Sequence, residues 1–147
     1  MLKITYGRKN DARFVTEYIT TSFLKGKPVH LGTPNAIRDM MYLEDHINAY
    51  LTCLETEVTN ETLNFGCGVE FTMEELAHKI KDLMHVEGKI IHSFPSNYPT
   101  RLVTEEYLSL NATKAKALLE WKPKINLQDG LKRTIDYWTQ KLRSISD

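Results

Sequence analysis

The chain has 147 residues, 41% of them hydrophobic and 26% charged, and its 19 basic and 19 acidic residues leave it formally neutral. That is the length of a single domain, and the neutral balance argues against a dedicated polyanion or membrane-surface binder. No apolar run approaches the roughly 20 residues needed to span a bilayer, and Met1-Leu2-Lys3 opens no signal-peptide core, so a cytoplasmic location is expected.

In chain order, Asn10-Asp11 can cap a helix that carries Val15, Ile19 and Phe23, and Gly26-Lys27-Pro28 ends it. Val29-His30-Leu31 reads as a short strand closed by Gly32 and Pro34. A second helix is expected from near Asp45, because Ile47, Tyr50, Leu51 and Leu54 fall at the spacing of a core-facing stripe. Leu63-Asn64-Phe65 reads as a strand broken by Gly66-Cys67-Gly68. Thr72 with Glu75 forms a capping-box pair, ahead of a helix lined by Met73, Leu76, Ala77, Ile80, Leu83 and Met84. Lys89 to Phe94 resembles another strand, and Pro95 to Glu106 an irregular polar connection of the kind that often carries function. Asn111 can cap a short helix bearing Ala115, Leu118 and Leu119, ended by Trp121-Lys122-Pro123. Asn126 with Asp129 opens the last helix, striped by Leu127, Leu131, Ile135, Trp138 and Leu142. The sum is an α-rich α/β pattern of about five helices and three short strands in one domain, 1–147.

Three stretches, in this order, resemble the C-terminal half of extended short-chain dehydrogenases/reductases that act on nucleotide sugars. The first runs from Tyr6-Gly7 through Arg13-Phe14-Val15 and Leu24-Lys25-Gly26-Lys27-Pro28 to Arg38-Asp39 and Tyr42-Leu43-Glu44-Asp45, and is similar to YGP…RFVP…LxGKPxxxxGxxxxxRDxxYVxD. The second, Leu63 to Gly68 followed by Thr72 to Ala77, is similar to YNIGSG…SIxELA. The third, Lys114-Ala115-Lys116 through Trp121-Lys122-Pro123 to Thr134-Ile135, resembles SKAxxxLGWxPxxxLxxGLxxTI. The chain departs from these patterns at Arg8, where the family has Pro, at Ile4, often Asn, at Asn111, commonly Asp, and at Glu120, which replaces Gly. The stretches Leu31 to Asp39 and Asp45 to Leu51 lean toward GDP-mannose and CDP-glucose 4,6-dehydratases.

The resemblance implies the small C-terminal lobe of such an enzyme and a set of substrate contacts. Arg38 matches the arginine that grips the nucleotide diphosphate, which suits a rigid fork of donors facing phosphate oxygens. Read alone, Arg38 could as well pair with Asp39 or Asp45 at the surface. Arg101 matches a second arginine closing on the same diphosphate, against the alternative of an exposed loop residue. Val29 and Leu31 correspond to the strand that covers the base, or else to a core strand. Arg13 and Phe14 lie where relatives contact substrate, although Phe14 could also be core.

The remaining chemistry-bearing residues carry little signal. The five histidines share no metal-ligand spacing, and neither Cys53 nor Cys67 stands in a CxxC pair. Cys67 has no base beside it. Glu74 and Glu75 suit a helix first turn, not a catalytic pair. Oxidoreduction in this family needs a strand and a GxxGxxG-type turn for the cofactor pyrophosphate, and the seven glycines contain no such spacing. Tyr137 and Lys141 have the spacing of the family's catalytic Tyr-x-x-x-Lys, but they align with the closing helix of the fold, so no catalytic residue is expected here.

The expectation is therefore a nucleotide-sugar-binding portion, inactive alone, whose Rossmann half, in cis or in trans, holds NAD or NADP. The resemblance implies that the parent enzyme, a homodimer, oxidises the sugar at C4 before epimerisation or loss of water. No nucleic-acid or membrane partner is expected. The competing readings are a non-catalytic nucleotide-sugar-binding or assembly module and an unrelated helical interaction domain. A lobe without its Rossmann half should expose apolar surface and dimerise or dissolve poorly.

Overall fold

The structure, a computed structural model, describes residues 5–9, 11–94 and 106–146. It begins with β1 (Thr5–Tyr6), turns at Gly7 and Arg8, and forms α1 (Val15–Leu24). The start of α1 differs from expectation: its N-cap is Phe14, with no side-chain cap bond. Asp11 Oδ1 instead accepts the Arg13 amide at 2.9 Å in a turn of its own, so this carboxylate is spent before the helix begins. Asn10 lies outside the described residues. The stop is as read, with Gly26 at φ +63 and the Lys27 amide bonded to the Ser22 carbonyl at 2.9 Å.

Seven short strands stand among the described residues, where three were expected. β2 (Val29–His30) is followed by β3 (Ile37–Asp39) and β4 (Met41–Tyr42), and the latter pairs in parallel with β1. α2 (Leu43–Leu54) comes next. Residues 63–65, expected as a strand, provide only an isolated bridge at Phe65. β5 (Glu70–Thr72) then leads into α3 (Met73–Met84). β6 (Ile90–Ile91) pairs in parallel with β2, and β7 (Tyr107–Leu108) lies parallel to β3, whose other edge takes β5 antiparallel. Strands of two or three residues show no alternation, so five of the seven left no trace in the sequence pattern.

α3 forms as its residues dictate. Thr72 Oγ1 accepts the Glu75 amide at 3.1 Å and Glu75 Oε2 accepts the Thr72 amide at 2.7 Å, while Met73, Leu76, Ala77 and Ile80 are buried behind them. α4 (Thr113–Leu119) starts beside Asn111, whose Oδ1 accepts the Thr113 amide at 2.9 Å. It ends with Glu120 in the left-handed region at φ 52, the strained position the family pattern fills with glycine. α5 (Leu127–Ser146) opens with Asn126 and Asp129 bonded reciprocally.

α1 packs against both α3 and α5, and Ile19, Phe23, Val29, Leu76, Ile80 and Leu131 belong to the main core they share. α5 approaches β1 so closely that a Cβ at Gly130 would overlap the Tyr6 hydroxyl. A second, smaller core of Met41, Ala49, Phe65, Ala115 and Trp121 lies under α2 and α4. There the expectation for α2 fails: Ile47, Tyr50, Leu51 and Leu54 are 49%, 56%, 49% and 82% exposed, and Asp45 and Ala49 are buried in their place. The helix is real, but its apolar stripe faces away from this chain's core.

Candidate functional site

Both aspartates of the Arg38-Asp39…Asp45 stretch are buried, and each clamps a distant piece of backbone. Asp39 accepts the amides of Cys67 and Gly68 at 3.1 and 3.0 Å. Asp45 accepts those of Lys124 and Ile125, both at 2.9 Å. Each carboxylate satisfies two amides that would otherwise be orphaned, so β3 and α2 fix the glycine turn and the entry to α5. The closest-spaced glycines, Gly66 and Gly68, are thus tied to a protein carboxylate; a Cβ at Gly66 would sit 2.6 Å from Asp39 Oδ2. With Asp39 already bonded to the Cys67 and Gly68 amides, this turn does not fit a dinucleotide pyrophosphate.

Arg38 directly precedes the first clamp, on the central strand of the three-stranded sheet, and is 9% exposed. Its Nη1 donates to the Ile37 carbonyl at 2.7 Å and to the Glu106 carbonyl at 3.3 Å. It does not pair with Asp39 or Asp45 through any bond those carboxylates are seen to make. Arg101 lies outside the described residues. Val29 and Leu31, at 0% and 5% exposed, both belong to the main core. Between them His30 donates its amide to the Tyr18 hydroxyl at 3.0 Å.

Arg13 is turned outward and bonded to Asp11 through Nε and Nη2, at 2.9 Å each. That contact holds the Asp11 carboxyl down to about 2. Phe14 is 38% exposed, and the Arg8 guanidinium carbon lies 4.1 Å from its ring centroid. Arg8 also gives its amide to Glu17 Oε1 at 2.7 Å and its Nε to the Thr5 carbonyl at 3.3 Å. Burial pushes the Glu17 carboxyl up, against the pull of these backbone amides and of Arg8. The sequence reading passed over Arg8 as a departure from pattern, and it passed over Asp39 and Asp45 as clamps. Arg8 and Asp39 are charges beside the apolar neighbours Tyr6 and Met40-Met41, whereas Asp45, between Glu44 and His46, carries no such signal.

One cleft among the described residues holds none of the candidate residues. It measures about 920 Å³ and runs between α3 and the segment entering α5, over Tyr6, Met40, Phe71 and Leu131. Cys67 opens into it, but burial, with Asp39 and Asp45 nearby, pushes its thiol up to about 12, so it stays protonated near neutral pH and is no nucleophile. Tyr137 and Lys141 meet on one acceptor: the hydroxyl donates to the Lys9 carbonyl at 2.7 Å and the ammonium to the same oxygen at 3.2 Å. Both groups hold the turn after β1. No helix among the described residues is long and apolar enough to cross a membrane.

The family described as GDP-mannose 4,6 dehydratase matches residues 2–134. The chain belongs to that family. That membership agrees with the three motif stretches, which resemble the epimerases and dehydratases of the extended short-chain dehydrogenase/reductase group. UDP-glucuronic acid decarboxylase 5 of Arabidopsis thaliana is 31% identical over 86% of this chain and 36% of its own length. Among solved structures, the UDP-glucose 4-epimerase of Thermotoga maritima with UDP-glucose superposes at a TM-score of 0.81, with 29% identity over 96% of this chain and 45% of that one. The dTDP-glucose 4,6-dehydratase of Bacillus anthracis, in complex with NAD, shares the fold at a TM-score of 0.83, with 24% identity over 97% and 44%. The chain thus spans less than half the length of these relatives.

Proposed function

We propose that this member of the GDP-mannose 4,6 dehydratase family supplies the nucleotide-sugar grip of an NAD-dependent epimerase or 4,6-dehydratase, with Arg38 and Arg101 on the nucleoside diphosphate. The observation that supports this reading is the bond from Arg38 Nη1 to the Glu106 carbonyl. It ties the central strand of the sheet to Glu106, five positions beyond Arg101 in the sequence. Diphosphate oxygens are stronger partners for a guanidinium than a neutral carbonyl such as that of Glu106. Val29 and Leu31 anchor in the core the strand that lies along the base. Arg13 and Phe14 flank the sugar end.

The oxidation chemistry, with NAD or NADP, belongs in this proposal to the part of the relatives that the chain does not span, and the chain alone is inactive. The exposed stripe of α2 is the face on which that part packs. Remote binding energy from the diphosphate then positions the reacting sugar carbon. Titration calorimetry of the chain with UDP-glucose and with GDP-mannose tests the reading. At least one should bind, and Arg38→Ala should weaken it about tenfold or more, the loss expected when a charge-assisted pair is removed. An unchanged affinity in Arg38→Ala, or no binding of either ligand, overturns it.

A further inference from the structure

Arg8 is a cation held ready beside the proposed sugar end. Gly7, at φ +81, turns the chain so that the Arg8 amide reaches Glu17 Oε1. The side chain is then fixed twice more, by Nε on the Thr5 carbonyl and by the guanidinium carbon 4.1 Å from the Phe14 ring centroid. A guanidinium tied at Nε keeps its two terminal nitrogens side by side on the remaining edge, and that edge matches the two oxygens of a carboxylate. Among the described residues neither terminal nitrogen has a hydrogen bond or an ion pair. Of the neighbouring carboxylates, Asp11 is bonded to Arg13, and Glu17 gives Oε1 to the Arg8 amide while its buried Oε2 has no hydrogen-bond partner among the described residues. The stacking aromatic, Phe14, is itself more than a third exposed, so the pair borders solvent.

We propose that Arg8 selects a nucleotide sugar that carries a carboxylate on its sugar ring, a nucleoside-diphosphate uronate. This rests on the reading of the chain as a nucleotide-sugar grip. In that reading the diphosphate belongs to Arg38, on the sheet, and to Arg101. Arg8 follows β1 and lies over Phe14, the residue before α1, where in the same reading it would meet the sugar. Tied at Nε and resting over the Phe14 ring, it contributes selectivity through geometry, with little freedom left to lose on binding.

Calorimetry with UDP-glucuronic acid, UDP-glucose and UDP separates the sources of an anionic contact. The wild-type chain should bind UDP-glucuronic acid about tenfold more tightly than UDP-glucose, the worth of one bidentate charge-assisted pair. Arg8→Ala should bring that ratio near one, and Arg8→Lys, which keeps the charge but not the fork, should leave an intermediate ratio. Arg38→Ala should weaken all three ligands together and leave the ratio standing. Equal affinities for the two sugars in the wild type, or a ratio that survives Arg8→Ala, overturns the role of Arg8 while the grip on the diphosphate stands. Binding of none of the three overturns the role of Arg8, and removes the grip on the diphosphate as well if GDP-mannose also fails to bind. A preference for UDP over both sugars places Arg8 on phosphate and also overturns the proposal.

Discussion

α3 and α2 are helices of the same length, each carrying an apolar stripe, yet the fold treats them oppositely. Every residue of the α3 stripe up to Ile80 is buried against α1 and the sheet. On α2, Ile47, Tyr50, Leu51 and Leu54 look outward, and the residues that are buried, Asp45 and Ala49, serve a clamp and a small contact. A stripe at helical spacing therefore says that a helix has a partner. It does not say that the partner lies in the same chain. The strands repeat the contrast, because the sheet beside α3 has three strands whereas β1 and β4, beside α2, form a pair with nothing beyond it among the described residues. Two-stranded pairs are marginal without further cover.

If the α3 side is a true core, opening it should cost the most. Leu76 has no exposed surface, and Leu76→Ala should lower unfolding stability by about 2–5 kcal/mol in a urea titration. A loss below about 1 kcal/mol would mean that α3 is packed no better than α2, and the comparison would break. Next comes the clamp between the two sides. Asp45→Ala orphans the Lys124 and Ile125 amides at the entry to α5 and should cost roughly 2–3 kcal/mol. Thr72→Ala, which removes half of the capping box, should cost about 1 kcal/mol, read as a shifted urea midpoint at unchanged slope.

Glu17 sharpens the comparison through pH. Its carboxyl is raised above the ordinary 4.5 by burial, so the folded state binds that proton more firmly than the unfolded chain does. Stability from this group is fully present below the ordinary value, declines as pH rises through the raised one, and is level thereafter. Glu17→Gln should flatten that decline, which sets in as pH rises above the ordinary 4.5, in urea titrations. An identical pH profile in wild type and variant would show that the carboxylate is as well served inside as in water.

Legibility in the sequence followed the same division. The helices of the main core were readable because a cap and a stripe act locally, as Thr72 with Glu75 and Asn126 with Asp129 show. Five of the seven strands were not, since a pair such as Thr5 with Met41 exists only through contacts made far along the chain. The candidate site was legible as motif and illegible as geometry. Arg38 could be singled out from Arg38-Asp39, but neither its bonds to the Ile37 and Glu106 carbonyls nor the burial of Val29 and Leu31 follows from spacing. Arg8 shows the reverse case, a residue that broke the pattern and that only the stacking on Phe14 makes meaningful.

The smallest expected effect on stability is the most telling about the outward face. Leu54 is 82% exposed and Leu51 about half exposed, so replacing them with Lys and Glu removes little burial in the folded monomer. The doubly substituted chain should unfold within about 0.5 kcal/mol of the wild type, as surface changes usually do. What should change is association. An uncovered stripe of four large side chains favours self-contact at high concentration, whereas a charged one opposes it. Sedimentation velocity should therefore show the wild-type coefficient rising with concentration and the Leu51→Glu, Leu54→Lys chain staying monomeric. Should both remain monomeric at the highest concentrations reached, α2 would have no tendency to be covered, and its difference from α3 would be one of composition alone. Should the double variant instead unfold by several kcal/mol, the stripe would be part of this chain's own core after all.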